Sequence, residues 1–353
     1  MIIRSSKEQI EEYINSPALN QSKLKLLSIS AQAFQEVKEP EMFFEEKEHF
    51  VIGKGVDDLI TMGQEYFDNN YHISDITKPS DTIMSIVQQV FATKESDNWF
   101  DQNLLPAIEA HNYQPNWKLD TKITKVSVEG ETYWNELLQS EGKQVLSKEQ
   151  ILKIDSITSQ ILEHKFTKDY FKLDEFTDIY YQLPLYFTVD DVECKALLDM
   201  VIVHHRLKTI TPIDIKTIGD YTKFFDYQCL RRRYDIQASW YMQALYNWRD
   251  INFERYSVKT FKFIVASTTK QCDPVIFDAT NNFINAGKYG SSKVRYYYVH
   301  GGNAELDESV TETYGWKKLL KIYNWHNKNG WDKDFEIETN YGIFTIDSDY
   351  QRS

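Results

Sequence analysis

Five side chains in the middle of the chain could meet at one place and share chemistry. Asp199 is the single acid in an apolar run, and a buried carboxylate needs a partner. Asp214 and Lys216 stand two residues apart in the next strand-like segment, so they share a face, because strand side chains alternate. Gln237 and Tyr241 follow in a helical pattern, one turn apart. We expect these acids, the lysine, the glutamine and the tyrosine to converge.

The segments that carry these side chains are predicted as two strands followed by a helix. Residues 197–203 are apolar around their one acid, residues 210–217 alternate, and residues 234–245 have a helical pattern. A strand is expected before them near Tyr180, and two more after them, at 261–266 and 275–277. This order of helices and strands predicts an α/β or α+β fold with a central mixed β-sheet flanked by helices.

The rest of the chain is predicted to be mainly helical. Helices are expected at 7–14, 24–37, 49–67, after Ser80, after Ser147, at 280–286 and at 315–325, a short strand at 122–128, and a strand-like tail at 341–346. Asn20 or Ser22 is the expected N-cap of the second helix, and glycines inside the third suggest a close approach. We divide the chain into N-terminal helices that join the core (1–70), a helical insertion or lobe (71–175) and the core itself with its C-terminal helix and strand (176–353).

Length and composition are those of an ordinary globular protein. The chain has 353 residues, 42% hydrophobic and 26% charged, enough for one elaborated domain or two. No segment approaches the roughly 20 uninterrupted apolar residues of a membrane helix, and the first eight residues lack the apolar core of a secretion signal. We expect no membrane association and a cytoplasmic location.

The cysteines indicate neither a disulfide framework nor a structural metal. Cys194, Cys229 and Cys272 lie far apart and show no CxxC spacing. We interpret them as reduced, mostly buried thiols, and expect no zinc site and no iron–sulfur cluster.

The formal net charge of −13 argues against diffuse binding to phosphate backbones, because that affinity comes from lysine and arginine. Any contact with nucleic acid would need a local basic surface. Lys223, Arg231, Arg232 and Arg233 are the candidates, since they stand between the Asp-x-Lys strand and the Gln237 helix. The alternative interpretation is a solvated helix face.

These residues resemble the PD-(D/E)xK nuclease superfamily, and within it the branch of RecB-like and phage RecE-like exonucleases. The matching residues are Asp199, the run Asp214-Ile215-Lys216-Thr217, and the run Gln237-Ala238-Ser239-Trp240-Tyr241, which is similar to the helical QxxxY element of the branch. Upstream, Leu19-Asn20-Gln21-Ser22-Lys23-Leu24 looks like its S-x-L helix start. The resemblance spans most of the chain, although only residues 197–241 are specific. It implies a restriction-endonuclease-like core with a helical insertion.

The resemblance implies hydrolysis of DNA phosphodiester bonds with Mg²⁺ or Mn²⁺. Asp199 and Asp214 would bind the cation, with the backbone carbonyl of Ile215 completing the shell. Lys216 would orient the attacking water or neutralise the transition state. The short Asp-x-Lys pattern alone is weak, because Asp120-Thr121-Lys122 meets it too, in what we interpret as a loop.

The helical pair Gln237 and Tyr241 would hydrogen-bond the metal-site groups or the phosphate of the strand being cut. Its structural alternative is a helix face that packs on the sheet. Asp57 stands where relatives usually carry a histidine, and a carboxylate can also ligate a hard cation, so Asp57 is a further metal-ligand candidate. Gln182 occupies a strand where some relatives have a glutamate, which makes a ligand from that strand less expected.

Three functions remain open from the sequence. The first is an exonuclease of double-stranded DNA ends in phage-type recombination or repair, in a bacterium or a phage-infected host. Its expected partners are DNA, a single-strand annealing protein and further copies of the chain. The second is a structure-specific endonuclease with the same site, and an iron–sulfur end-trimming enzyme is disfavoured because four ligand cysteines are needed. The third is a non-catalytic module that binds DNA ends or a protein.

Overall fold

The computed structural model describes residues 1–36, 48–74, 76–224, 229–269, 273–291, 296–300, 303–307 and 313–340. Cys272 and the strand expected at 341–346 lie outside the described residues, as does Val37 at the end of the expected helix. The chain forms two compact units, one of residues 1–57 together with 157–353, and one of residues 58–156.

Helices of the described residues are α1 (Lys7–Asn15), α2 (Gln21–Lys25), α3 (Ala31–Glu36), α4 (Glu48–Thr61), α5 (Gln64–Asn70), α6 (Asp81–Ala92), α7 (Leu105–Ala110), α8 (Leu119–Gln139), α9 (Lys148–Glu163), α10 (Leu230–Arg232), α11 (Tyr234–Asn252), α12 (Asn281–Tyr289), α13 (Trp316–Asn329) and α14 (Phe335–Thr339). Short 3-10 helices cover Leu26–Ser28, Trp99–Asp101, Lys168–Tyr170 and Tyr221–Lys223.

Strands of the described residues are β1 (Ile2–Arg4), β2 (Tyr71–Ser74), β3 (Gln144–Ser147), β4 (Thr177–Val189), β5 (Val192–His204), β6 (Thr209–Ile218), β7 (Ser257–Val258), β8 (Lys262–Ser267), β9 (Val275–Asp278), β10 (Gly290–Ser291), β11 (Tyr296–His300), β12 (Asn303–Asp307) and β13 (Thr313–Tyr314).

The larger unit is built on a mixed sheet of seven described strands. Their order is β1-β4-β5-β6-β8-β9, and β7 pairs with β6 at its side. The β1–β4, β6–β7 and β6–β8 pairs are parallel, whereas β4–β5, β5–β6 and β8–β9 are antiparallel. The mixed α/β architecture, with a central mixed sheet flanked by helices, is therefore confirmed.

The β4–β5 hairpin is the longest pairing of this sheet. Its turn is Asp190 and Asp191, which both have positive φ values of 49° and 63°. Two positive φ values in a two-residue loop match the right-handed twist of the flanking strands, and Asp tolerates them better than most residues. This hairpin holds the strand that carries Asp199 in a fixed register.

Helix α11 packs against β4 and β5. Its Trp240 is fully buried and donates a hydrogen bond from Nε1 to the backbone oxygen of Lys195 on β5, at 3.0 Å. On its other side, a Cβ at Gly287 of α12 would lie 1.9 Å from the backbone oxygen of Asp235, so only glycine permits this helix–helix approach. The helix that carries Gln237 and Tyr241 is thus fixed between the sheet and α12.

Helix α4 approaches the sheet beside the Asp-x-Lys segment. A Cβ at Gly53 would lie 2.6 Å from the hydroxyl oxygen of Thr217, which directly follows Lys216. The sequence suggested a close approach at the glycines of this helix, and Gly53 confirms it. The expected helix 49–67 is however wrong in extent, because Gly63, with a φ of 90°, separates α4 from α5.

The smaller unit has its own apolar core, in which α6, α7 and α8 pack together. The strand predicted at 122–128 is wrong, as is the loop predicted at Asp120-Thr121-Lys122, because both lie in α8. A strand would place Val126 and Val128 on one face, but Val126 is fully buried whereas Val128 is 67% exposed. Val126, Gly130 and Tyr133 are buried at helical spacing instead. Packing in the core therefore outweighs the strand preference of the β-branched residues in this segment.

The expected helix at 24–37 is also interrupted. Asn20 caps α2, as predicted, by accepting a hydrogen bond from the backbone N–H of Lys23 at 2.7 Å. The chain then turns through the 3-10 helix Leu26–Ser28 before α3 begins. In the part of the chain that is described, no helix is both long and apolar enough to cross a membrane.

The two described cysteines, Cys194 and Cys229, are free thiols and are buried, as predicted. Burial raises the pKa of each thiol to about 12. Both thiols are therefore protonated at neutral pH and pack as small apolar side chains.

Candidate active site

Two predicted acids lie where strands β5 and β6 separate. The pairing of these strands runs from His204–Thr209 to Met200–Ile213, so the next residues along them are Asp199 and Asp214. Past this point β5 continues to pair with β4, and β6 with β8. The resulting opening in the sheet, which we call the strand fork, brings both carboxylates to one place.

The Asp199 side chain bridges the strand fork. Its Oδ2 accepts a hydrogen bond from the backbone N–H of Ile215 at 3.1 Å. The Asp199 carboxylate thus accepts from a backbone N–H that would have bonded to the backbone of β5 if the β5–β6 ladder had continued. The Ile215 side chain points into the core and is 6% exposed, whereas Asp199 is only half-buried.

The Asp214 carboxylate is the most enclosed acid of the fork and is held by two side chains. Its Oδ1 accepts a hydrogen bond from Nε2 of Gln237 at 2.9 Å. Its Oδ2 lies 2.6 Å from Nζ of Lys216, as the strand alternation predicted for two residues on one face. The Asp214 side chain is 1% exposed and that of Lys216 20%, so the ion pair is largely shielded from water.

Burial controls the protonation of this pair. Desolvation is the largest effect on Asp214 and, with the charge of Asp199, raises its pKa to about 7, although Lys216 opposes this shift. Burial alone would lower the pKa of Lys216, but the Asp214 and Asp199 carboxylates raise it above the usual lysine value. The lysine is therefore an ammonium at neutral pH.

Two tyrosines close the surroundings of Lys216. Its Nζ lies 5.3 Å from the ring centroid of Tyr234, in a cation–π arrangement. Tyr241 is one helical turn after Gln237 and is 9% exposed. Burial, followed by the charges of Asp199 and Asp214, raises the pKa of Tyr241 well above its ordinary value. Its phenol is therefore neutral and can donate a hydrogen bond.

The donor chemistry of the strand fork fits a divalent cation. Asp199 and Asp214 bring two carboxylates against the single positive charge of Lys216, and the charge of Asp199 adds to the burial that raises the pKa of Asp214. Among the described residues, no group of three or more His, Cys, Asp or Glu side chains is placed to hold a metal. Mg²⁺ typically uses one or two carboxylates and keeps several waters, so two aspartates with the Ile215 carbonyl would suffice as a protein ligand set.

The further metal-ligand candidate, Asp57, is hydrogen-bonded to a side chain of strand β4. Its Oδ2 accepts a hydrogen bond from Nε2 of Gln182 at 3.2 Å. Gln182 lies opposite Asp199 in the β4–β5 register, yet it has a φ of 48° and is left out of the pairing between Tyr181–Met200 and Leu183–Leu198. A left-handed conformation costs a non-glycine residue about 1–2 kcal/mol, and such strain concentrates at functional sites.

The predicted basic residues divide into two groups. Lys223, Arg231 and Arg232 are exposed. Arg233 is half-buried and donates hydrogen bonds from Nε and Nη2 to the Asp235 carboxylate, each at 2.9 Å. Arg233 thus forms an ion pair with Asp235 at the start of α11, whereas the other three side chains face solvent.

Sequence reasoning missed two residues of this region. Gln182 was set aside as a ligand, and nothing in the sequence indicates its left-handed backbone. Lys25 lies at the end of α2, directly after the S-x-L segment, and its Nζ donates a hydrogen bond to the backbone oxygen of Arg232 at 3.1 Å. The only signal for Lys25 was its position just after that motif.

Comparison with solved structures shows a distant likeness. The chain resembles the crystal structure of a protein from Eubacterium rectale described as a candidate exonuclease, with a TM-score of 0.41 and 11% sequence identity over 80% of each chain. No protein-family model and no curated protein matches the chain.

Proposed function

We propose that this protein is a Mg²⁺- or Mn²⁺-dependent deoxyribonuclease that hydrolyses phosphodiester bonds at double-stranded DNA ends. The observation that carries the proposal is the strand fork, where Asp199, Asp214 and Lys216 meet and Gln237 holds Asp214 from α11. Each of these side chains is held by a strand or by a long helix. Such rigid placement is what a reaction that depends on positioning and charge requires.

Asp199 and Asp214 would hold the cation, together with the Ile215 carbonyl. A bound Mg²⁺ or Mn²⁺ supplies Lewis acidity at the phosphate and lowers the pKa of water. The two aspartates come from strands that separate at this point, so their spacing is set by the sheet. Gln237 fixes the orientation of Asp214 through its 2.9 Å hydrogen bond.

Lys216 contributes a positive charge rather than a base. Its raised pKa keeps the ammonium protonated, so it can donate hydrogen bonds to phosphate oxygens as negative charge develops on them. Tyr241 stays neutral and can donate to the same phosphate or to an acid of the fork. The positive charge of Lys216, which would stabilise the negative charge that develops on the phosphate, is thus present before the substrate binds.

The proposal is tested with purified protein, linear duplex DNA labelled at either the 5′ or the 3′ end, and Mg²⁺ or Mn²⁺. Wild type should release labelled nucleotides, and Lys216→Met should release none. Lys262→Met is the matched control, because Lys262 lies on the adjacent strand β8 and pairs with Asp278 instead. Equal inactivity of wild type and Lys216→Met in both metals would contradict the proposal and favour a non-catalytic DNA-binding module.

A covalently closed circular duplex separates the two nuclease hypotheses. An exonuclease leaves it intact, whereas a structure-specific endonuclease with the same site cuts it. Further copies of the chain and a single-strand annealing protein are the partners that we add to the proposal. Gel filtration at several protein concentrations tests the first of these.

A further inference from the structure

The positive charges near the strand fork are not balanced evenly by acids. Lys216 is paired with Asp214 at 2.6 Å, and Arg233 is paired with Asp235 at 2.9 Å. Within the described parts of the chain, Lys25 and Arg232 form no ion pair with a carboxylate. Beside a fork that also holds the carboxylate of Asp199, two cations of a protein with a formal net charge of −13 therefore have no carboxylate partner among the described residues.

These two cations come from separate elements that meet. Lys25 ends α2, and its Nζ donates to the backbone oxygen of Arg232 at 3.1 Å. The Arg232 guanidinium lies 5.5 Å from the ring centroid of Phe50 on α4. Helices α2, α4 and α10 thus converge at this point. Both side chains are held in place, and within the described residues neither forms an ion pair with a carboxylate.

The surroundings of Lys25 are electrostatically unfavourable for a cation. Burial lowers its pKa to about 8, and the charges of Lys216, Arg233 and Arg232 act in the same direction against that of Asp235. A lysine held among like charges destabilises the fold unless an anion joins it. Residues kept at such a cost are typical of binding sites.

We propose that Lys25 and Arg232 form a phosphate-binding subsite for the DNA strand, beside the Asp214–Lys216 pair. The subsite rests on the proposed function and extends it, because it assigns a backbone phosphate to a particular pair of side chains. A phosphate oxygen can accept from the Lys25 ammonium and from the Arg232 guanidinium at once. The ligand is a phosphate of the bound strand, so contacts to the bases are not involved.

The test measures duplex binding by fluorescence anisotropy in a chelator, so that no hydrolysis occurs, between about 50 and 200 mM salt. Lys25→Met should bind more weakly, and the slope of log K against log salt should become shallower by about 0.9, the value for one lost phosphate contact with duplex DNA. The matched control is Lys23→Met on the same helix, because Nζ of Lys23 lies over the Phe34 ring instead, at 5.0 Å. Its slope should equal that of wild type.

A second arm identifies the phosphate. A duplex in which one linkage is a neutral methylphosphonate should bind wild type more weakly at one position near the end, and Lys25→Met should not distinguish that duplex from the unmodified one. A third arm is thermal unfolding without DNA near neutral pH, where Lys25→Met should melt at a higher temperature than wild type. A purely structural role of the hydrogen bond to Arg232 predicts a lower melting temperature.

The outcomes separate this inference from the proposed function. If wild type digests DNA while Lys25→Met shows wild-type affinity and salt slope, the phosphate subsite is wrong and the nuclease proposal stands. If wild type neither binds nor digests duplex DNA, the proposed function fails and the subsite fails with it. A lower melting temperature of Lys25→Met would also overturn the subsite, whatever the nuclease activity.

Discussion

The ammonium of Lys216 lies 2.6 Å from Oδ2 of Asp214, so the aspartate and the lysine of the Asp-x-Lys segment form an ion pair that is largely shielded from water at the strand fork. Asp199 adds a second carboxylate there and raises the pKa of Asp214. Without a cation the site therefore carries more negative than positive charge. Both the stability and the chemistry of the protein should reflect this imbalance.

The first prediction concerns pH. The pKa of Asp214 is about 7 in the folded protein, against about 3.9 for an unfolded aspartate. The folded state thus binds more protons than the unfolded state between these values, and this contribution to stability is lost as the pH rises through them. In a chelator, the free energy of unfolding of wild type minus that of Asp214→Asn should fall from about pH 4.5 to about pH 7.5. Urea unfolding measures it, and a constant difference would contradict the raised pKa.

The second prediction concerns the hydrogen bond from Gln237 to Asp214. Gln237→Leu removes a donor from a buried carboxylate and should lower the free energy of unfolding by about 1–3 kcal/mol. Gln243→Leu on the same helix is the control, because Gln243 donates to the amide oxygen of Asn247, which is not an acid. Denaturant unfolding compares the two, and an equal loss in both variants would mean that Gln237 only packs.

The third prediction concerns the pair Gln182 and Asp57. If their 3.2 Å hydrogen bond holds Asp57 in place, the stability losses of Gln182→Ala and Asp57→Ala should not add in the double variant. We expect a coupling free energy of about 1 kcal/mol from a double-mutant cycle. Additive losses would show that the two side chains act independently.

The fourth prediction concerns the approach of α4 to β6. A methyl group at Gly53 would lie 2.6 Å from Oγ1 of Thr217, so Gly53→Ala should cost stability even though alanine favours helices. We expect a loss of about 1–3 kcal/mol. Adding Thr217→Ala removes the clashing oxygen and should restore part of that loss, as thermal unfolding can measure. No recovery in the double variant would place the strain elsewhere.

The sequence predicted much of the sheet and of the strand fork, because both depend on local periodicity. Alternation put Asp214 and Lys216 on one face, and helical spacing put Gln237 and Tyr241 one turn apart. The adjacency of Asp199 and Asp214 depends on the β5–β6 register, which the apolar pattern of both strands already favours. Their roles in metal binding and hydrolysis remain predictions.

Features that depend on tertiary packing were not predictable. The β-branched residues after Asp120 suggested a strand, yet the core of the smaller unit holds them in α8. The left-handed Gln182 has no signal in its residue type, since glutamine rarely adopts that conformation. Lys25 and Lys23 lie on the same five-residue helix, but Nζ of Lys25 contacts the backbone oxygen of Arg232 whereas Nζ of Lys23 lies over the Phe34 ring.

An electron paramagnetic resonance titration with Mn²⁺ measures whether Asp199 and Asp214 hold a divalent cation, as we propose. Added wild type should reduce the signal of free Mn²⁺, and the Asp199→Asn, Asp214→Asn double variant should leave it unchanged while remaining folded by circular dichroism. Lys262→Met should bind Mn²⁺ as wild type does. Folded wild type that leaves free Mn²⁺ undiminished, or a double variant that binds as well as wild type, would rule out a cation site at these two aspartates.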